Sequence, residues 1–158
     1  MLGGLALGIG LGGFVDGIVL HQILQWHHML TAQERHAGFP AISLRSLEEN
    51  TLWDGLFHVV AWVFVAVGVA LLWRSGSDGS RAGWRRLGGL VLAGWGIFNL
   101  VEGIVDHHLL GVHHVRDDVA DPRWWDLGFL ALGAALVLAG AALWRRNRQR
   151  EDDDQAST

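Results

Sequence analysis

The stretch FVDGIVLHQILQWHH, from Phe14 to His28, decides the fold because it is apolar like a membrane span yet carries ionisable groups. Its first helical turns are hydrophobic, but Asp16 and His21 lie inside it and two histidines close it. A charged side chain near the centre of a bilayer costs roughly 2.5–3.5 kcal/mol on insertion scales. We therefore expect these side chains to face the interior of a helical bundle and to find partners there.

Four apolar runs of the 158-residue chain are long enough to cross a bilayer, which takes about 20 residues in a helix. Because lipid offers the backbone no hydrogen bonds, each run is expected to be α-helical. The sequence therefore predicts an all-α integral membrane four-helix bundle, formed by one domain over residues 1–146 and followed by a disordered charged cytoplasmic tail over 147–158. The predicted spans cover residues 2–24, 52–73, 87–110 and 124–144.

The arginines set the expected orientation. They cluster in the loop after the second span and directly after the fourth span. The other two loops contain fewer arginines, together with acidic residues. By the positive-inside rule, both termini and the middle loop are cytoplasmic. We therefore predict a multi-pass protein of the cell membrane, embedded in the lipid bilayer, with its histidine-rich loops extracytoplasmic.

The chain contains an internal repeat. Residues 16–19, Asp-Gly-Ile-Val, align with residues 102–105, Glu-Gly-Ile-Val, and a weaker similarity relates WDGLFH at 53–58 to WDLGFL at 125–130. We interpret this as two repeated helical hairpins in the same orientation, related by a pseudo-two-fold axis along the membrane normal. Glycines in the first and third helices favour close packing of those two helices. The histidines align as His21 with His107, His27 with His113, and His28 with His114.

Helical spacing arranges the ionisable groups into two lines. At about 100° per residue, Asp16 and His27 fall on one line of the first helix, and His21 and His28 on another. Imidazole and carboxylate together are good ligands for Cu, Zn or Fe, and the absence of cysteine excludes thiolate sites. The sequence thus predicts a transition-metal site near the outer leaflet. Its candidate ligands are His21, His28, His58, His107, His114, Asp16, Asp54 and Glu102.

A purely structural interpretation stays open. Asp16 and Glu102 would then be protonated and join the helices through hydrogen bonds worth about 0.6–2 kcal/mol each. Asp54 would cap a helix, and Asp126 would be a first-turn acid favoured by the helix dipole. His108, like His36 in the first loop, is interpreted as having no role in the site. The duplication of the whole pattern favours the metal site over this interpretation.

Three segments resemble a family of predicted four-span bacterial membrane proteins whose domain has no known function. They are GGFVDGIVLHQILQWHHML, LWDGLFH and GWGIFNLVEGIVDHHLLGVHHVRD, and the resemblance covers roughly residues 11–144. It implies a four-helix inner- or plasma-membrane protein but supplies no activity. Its implied motif positions are Asp16, His21, His27, His28, Asp54, His58, Glu102, His107, His113 and His114.

Three functions remain as expectations. The first is a metal-binding protein with a redox or metal-handling role, whose partners would be respiratory or metal-handling membrane proteins. The second is a haem b electron-transfer module with His21 and His107 as axial ligands. The third is a proton or ion conductor in which Asp16 and Glu102 form a relay. An enzymatic role is left open, with a non-haem iron oxidase less favoured, and so is oligomerisation. No nucleic-acid-binding signature occurs.

Overall fold

Four helices form the parts of the chain that a computed structural model describes, which are residues 1–30, 44–76 and 81–156. No strand occurs within these ranges. Helices α1 and α3 each change from α-helical to π-helical winding near their C-terminal ends. The helices are α1, Leu2–Val15 with its π-helical continuation Asp16–Ile23; α2, Leu44–Arg74; α3, Arg81–Glu102 with its continuation Gly103–Leu109; and α4, Arg123–Ala156.

Each helix contains a segment long and apolar enough to cross a membrane, so the prediction of four helices of membrane-spanning length is confirmed. Helix α4 continues to Ala156 and thereby includes backbone of the tail that the sequence predicts to be disordered. The histidine at position 36 lies outside the described residues. The cytoplasmic position of the termini and the repeat stay predictions. The candidate spans are Leu2–Ile23, Leu47–Arg74, Gly83–Leu109 and Arg123–Arg146.

The helices pack in the order α2, α1, α3, α4. Helix α1 contacts both α2 and α3, and α4 contacts α3, while among the described residues α1 and α4 make little direct contact. Accordingly, the two central helices are more buried than the outer two. In the most apolar segment of each helix, 44% of the residues of α1 and 39% of those of α3 are buried, against 11% for α2 and 11% for α4. The two central helices are also the ones that carry the repeated acids and histidines, so these polar groups lie in the middle of the bundle.

Glycines allow the two central helices to approach each other closely, as the sequence predicts. A Cβ atom on Gly8 of α1 would overlap the backbone of Val91, and one on Gly94 of α3 would overlap the backbone of Leu5. Small residues at such crossings let helix backbones come together in a membrane, where dispersion contacts replace the hydrophobic driving force. The close α1–α3 crossing holds the C-terminal ends of both helices near each other, and the histidine clusters lie at those ends.

Candidate metal centre

Both central helices change their winding at a buried acid. Helix α1 becomes π-helical at Asp16, and α3 does so directly after Glu102. The π-helical winding ends with the same hydrogen bond in both helices. In α1 the amide of residue 24 donates to the carbonyl of residue 19, and in α3 the amide of residue 110 donates to the carbonyl of residue 105. π-Helical segments are rare and occur frequently at functional sites. Here they alter the direction of every side chain between the acid and the end of the helix.

After each π-helical segment the chain turns back instead of continuing the helix. A residue with positive φ makes each turn, Gln25 with φ 51° and Gly111 with φ 57°. The first turn brings the ring centroids of His21 and His27 to 4.4 Å, whereas six residues of straight α-helix would separate them by about 9 Å along the axis. The expectation of one straight α-helix, with ionisable groups in two lines along it, is therefore wrong.

Four imidazole rings form a continuous row between the two central helices. The order is His21, His27, His113 and His107, with successive ring centroids 4.4, 4.5 and 5.0 Å apart. The middle two rings are stacked, with only 6° between their planes. All four side chains are almost completely buried, with 1–4% of their surface exposed. Polar rings buried this deeply require partners for both of their nitrogens.

In the first two rings, one nitrogen is bonded to an acceptor. His21 donates from Nδ1 to Oδ1 of Asp54 at 3.0 Å, and His27 donates from Nδ1 to the carbonyl oxygen of Val115 at 2.9 Å. Burial, reinforced by the neighbouring imidazoles, lowers the pKa of His27 to about 2, so this ring is neutral. With the proton on Nδ1, a neutral imidazole presents the lone pair of its Nε2. Such bonds from the outer nitrogen typically orient metal-ligating histidines.

The other two rings are held by Glu102. His113 donates from Nε2 to Oε1 of Glu102 at 2.9 Å. Nε2 of His107 lies 2.8 Å from the same oxygen, but in a direction that forms no hydrogen bond. On the other side of this ring, Nδ1 lies 3.5 Å from Oδ1 of Asp126. One carboxylate oxygen therefore stands between two imidazole nitrogens.

Several polar atoms of this cluster lack a hydrogen-bond partner among the described residues, although they are buried. They include at least one nitrogen of every ring: Nε2 of His21, Nε2 of His27, Nδ1 of His113, and both nitrogens of His107. A buried polar atom without a partner costs about 1–3 kcal/mol. A metal ion bound to these atoms would remove that cost.

Two acids, Asp54 in the N-terminal half of α2 and Asp126 in the first turn of α4, bond histidines at the edge of the cluster. Asp54 accepts from Nδ1 of His28 at 2.7 Å in addition to its bond from His21. Asp126 accepts from Nδ1 of His114 at 2.8 Å and faces His107. Both carboxylates are buried, and both also accept a backbone amide hydrogen from the residue after the bonded histidine. The two halves of the chain thus contribute corresponding contacts.

The ligand atoms form two overlapping groups. One consists of His21, His27 and His113, and the other of Glu102, His107 and His113. Within each group, one ligand atom from every residue lies within 4.8 Å of the others. Nitrogen and oxygen ligands bind Zn at about 2.0–2.2 Å, which places the ligands of one ion about 3–4 Å apart. The ligand atoms of either group would therefore have to move closer together, by up to about 1–2 Å for the most distant pairs, to bind one ion.

The structure brings together only part of the ligand set predicted from the sequence. His21, His107 and Glu102 belong to the two groups, and Oδ2 of Asp16 lies 3.2 Å from Nε2 of His21 without a hydrogen bond. The remaining candidates lie outside both groups. Asp54, His28 and His114 form the supporting contacts, and His58 bonds the backbone carbonyl of Asp54.

Three residues of the cluster lie outside the ligand set that the sequence predicts. A straight α-helix separates His27 from His21, whereas the turn after the π-helical segment brings the two rings together, and the same holds for His113 and His107. The sequence suggests a first-turn acid at Asp126, but the similarity of residues 53–58 to 125–130 also aligns it with Asp54. That alignment is the sequence signal for a paired role of the two acids.

A cavity of about 590 Å³ lies beside the cluster, between α1, α3 and α4. Its walls are mainly apolar and include four tryptophans, among them Trp26 and Trp95. Asp16 and Asn99 also line it, but none of the four buried histidines does. The cavity is of the size of small-molecule sites, and the side chain of Asp16 lies between it and His21.

Comparison with known proteins gives one match. The family model described as "Predicted membrane protein (DUF2243)" matches residues 3–147, which is nearly the whole chain. No curated protein and no solved structure matches. The match therefore extends over all four helices and both histidine segments, and its description names no activity.

Proposed function

The chain belongs to the DUF2243 family of predicted membrane proteins, and we propose that it holds a resident transition-metal ion inside its helical bundle. The ion binds His21, His27 and His113. The observation that carries this proposal is the set of three buried ring nitrogens that form no hydrogen bond with the described residues, Nε2 of His21, Nε2 of His27 and Nδ1 of His113.

The bonds on the opposite side of each ring support metal binding. Every one of these three histidines has its second nitrogen bonded to a fixed oxygen, from Asp54, Val115 or Glu102 respectively. Such bonds select the tautomer that leaves the inner lone pair free, and they raise the basicity of the ligand. Three neutral or anion-bonded imidazoles suit Zn, Cu or Fe.

The burial of the ligands favours a bound cofactor over a transported ion. A transport site must open to water on both sides of the membrane, whereas these rings are 1% exposed and fixed by hydrogen bonds. We therefore propose a resident centre with a redox or structural role.

The haem b alternative receives less support from the same geometry. A haem would need His21 and His107 to face each other across an open slot wide enough for a porphyrin. Instead, the stacked rings of His27 and His113 stand between them in the row. Phe57 stacks on His21 and Phe129 packs on His107, each with ring centroids 5.4 Å apart. An absorption spectrum decides between the two, since haem gives a Soret band.

Elemental analysis of the full chain, purified in mild detergent, tests the proposal. We expect stoichiometric Cu, Zn or Fe in the protein as isolated or after reconstitution with these metals. His27→Gln should lose the ion bound by His21, His27 and His113 and so contain less metal than the wild type. His108→Gln should keep that ion, because His108 is exposed and, among the described residues, its Nδ1 bonds the carbonyl of Gly103 in its own helix. A monodisperse wild-type protein without metal, before and after reconstitution, would refute the proposal.

A further inference from the structure

We infer that the centre holds two metal ions in non-equivalent positions, with His113 as the ligand that they share. This inference rests on the proposed function, since it adds a second position to the first. The first position has three nitrogen ligands, from His21, His27 and His113. The second has the mixed set of Glu102, His107 and His113.

Glu102 brings the three candidate ligands of the second position close together. Its Oε1 lies 2.8 Å from Nε2 of His107 and 2.9 Å from Nε2 of His113. Ligands bound at about 2.0–2.2 Å to one metal are separated by about 3–4 Å, so both contacts would lengthen slightly around an ion. The His107 contact is short but poorly aligned for a hydrogen bond. An ion between Glu102 and His107 would satisfy both groups.

The shared ring has one nitrogen available for each position. Nε2 of His113 lies beside Glu102 in the second position, whereas Nδ1 lacks a partner and is the nitrogen left for the first position. An imidazole that binds two ions through its two nitrogens gives up its ring proton, which passes to solvent as the second ion binds. Two metals are thereby coupled through one ring.

The two metal positions differ in their ligands because the side chain of Glu102 is one methylene group longer than that of Asp16. Asp16 and Glu102 occupy equivalent places in the aligned halves, but the longer Glu102 reaches both His107 and His113. Asp16 has only His21 within ion-pair distance, at 3.2 Å, among the residues described. The second position therefore has a carboxylate ligand and the first does not. Two histidines with one carboxylate form a set used for non-haem iron and for catalytic zinc, while three histidines suit Zn or Cu.

A titration of metal-free full-length protein with Zn²⁺, followed by elemental analysis after removal of free metal, tests the inference. We expect two equivalents in the wild type, one in His27→Gln, one in Glu102→Gln and fewer than one in His113→Gln. His108→Gln, at an exposed ring next in sequence to a ligand, should keep two. Size-exclusion profiles and circular dichroism spectra show which variants fold, and the comparison of His27→Gln with Glu102→Gln needs only those two to fold.

The outcomes separate this inference from the proposed function. No bound Zn²⁺ in the wild type contradicts both. One equivalent in the wild type, lost in His27→Gln and kept in Glu102→Gln, supports the proposed function and overturns the second position. Loading the wild type with two equivalents of Cu²⁺ in place of Zn²⁺ gives a further readout. If His113 binds both ions, their electron spins couple through its ring, and the electron paramagnetic resonance signal is weaker than that of two isolated Cu²⁺ ions. Two full, uncoupled signals would contradict a shared His113.

Discussion

His27 and His113 stack face to face, with ring centroids 4.5 Å apart and planes within 6° of parallel, although they come from opposite halves of the chain. Each of the two histidines follows a turn at the end of a π-helical segment, and each side chain is 1% exposed. The stacked pair joins the two hairpins at the centre of the bundle. Because every other ring of the row contacts this pair, its integrity determines whether the ligand groups form.

His58→Gln should leave metal binding unchanged, although the sequence predicts His58 as a ligand. Its Nδ1 donates to the carbonyl oxygen of Asp54 at 2.7 Å, and the ring is outside both ligand groups. Elemental analysis of His58→Gln and His27→Gln, purified in the same way, compares the metal content of the two variants. Loss of metal in both variants would show that His58 moves into the centre when the ion binds.

Asp126→Asn should weaken metal binding about 10–100-fold without removing it, the usual effect of losing a carboxylate that orients a ligand. Asp126 holds His114 and faces His107 but lies outside the ligand groups. Competition with a chelator of known affinity measures the change in dissociation constant. Asp121→Asn is the control, since that exposed acid bonds Arg123 instead. Equal affinities for the two variants would contradict an orienting role.

Gly94→Ala should destabilise the bundle, while Gly88→Ala should leave it unchanged or slightly more stable. The added Cβ at residue 94 would overlap the backbone of Leu5, whereas nothing lies within 4 Å of one at residue 88. Overpacking typically costs about 1–3 kcal/mol, and alanine gains up to about 1 kcal/mol over glycine in a helix. Thermal unfolding in detergent compares the two variants. Similar melting temperatures would mean that α1 and α3 do not cross as closely as described.

Removal of the proposed metal should lower the melting temperature by about 5–10 °C. An ion present at about one hundred times its dissociation constant stabilises the folded state by about 2.7 kcal/mol, and each kcal/mol shifts Tm by about 2–4 °C in a chain of this size. Differential scanning fluorimetry with and without chelator measures the shift. His113→Gln, which lacks the residue common to both ligand groups, should show little or no shift, and an equal shift in that variant would point to a chelator effect unrelated to the centre.

Ala120→Cys should react with a membrane-impermeant thiol reagent in intact cells, and Ser75→Cys only after the membrane is permeabilised. The natural chain has no cysteine, so each variant carries one thiol. Both positions are exposed, one in the loop before α4 and the other after α2. The result follows from the positive-inside rule. The opposite labelling pattern would reverse the predicted orientation and place the histidine-rich loops in the cytoplasm.

The helices could be predicted from the sequence, but the ligand set could be predicted only in part. Apolar length alone identifies the four spans, because lipid leaves the backbone few alternatives to the helix. The buried acids also marked the two central helices. The roles of His27 and His113, however, depend on π-helical winding and on a left-handed Gln25, and neither follows from hydropathy or from an α-helical wheel.

The packing order of the helices has a consequence for biogenesis. The first hairpin to leave the ribosome carries His21 and His27 but not His113, which arrives only with the second half. Neither ligand group is complete before α3 has inserted beside α1. Binding of the proposed metal is therefore expected only after α3 has inserted, and truncated chains that end before α3 should reach the bilayer but bind no metal.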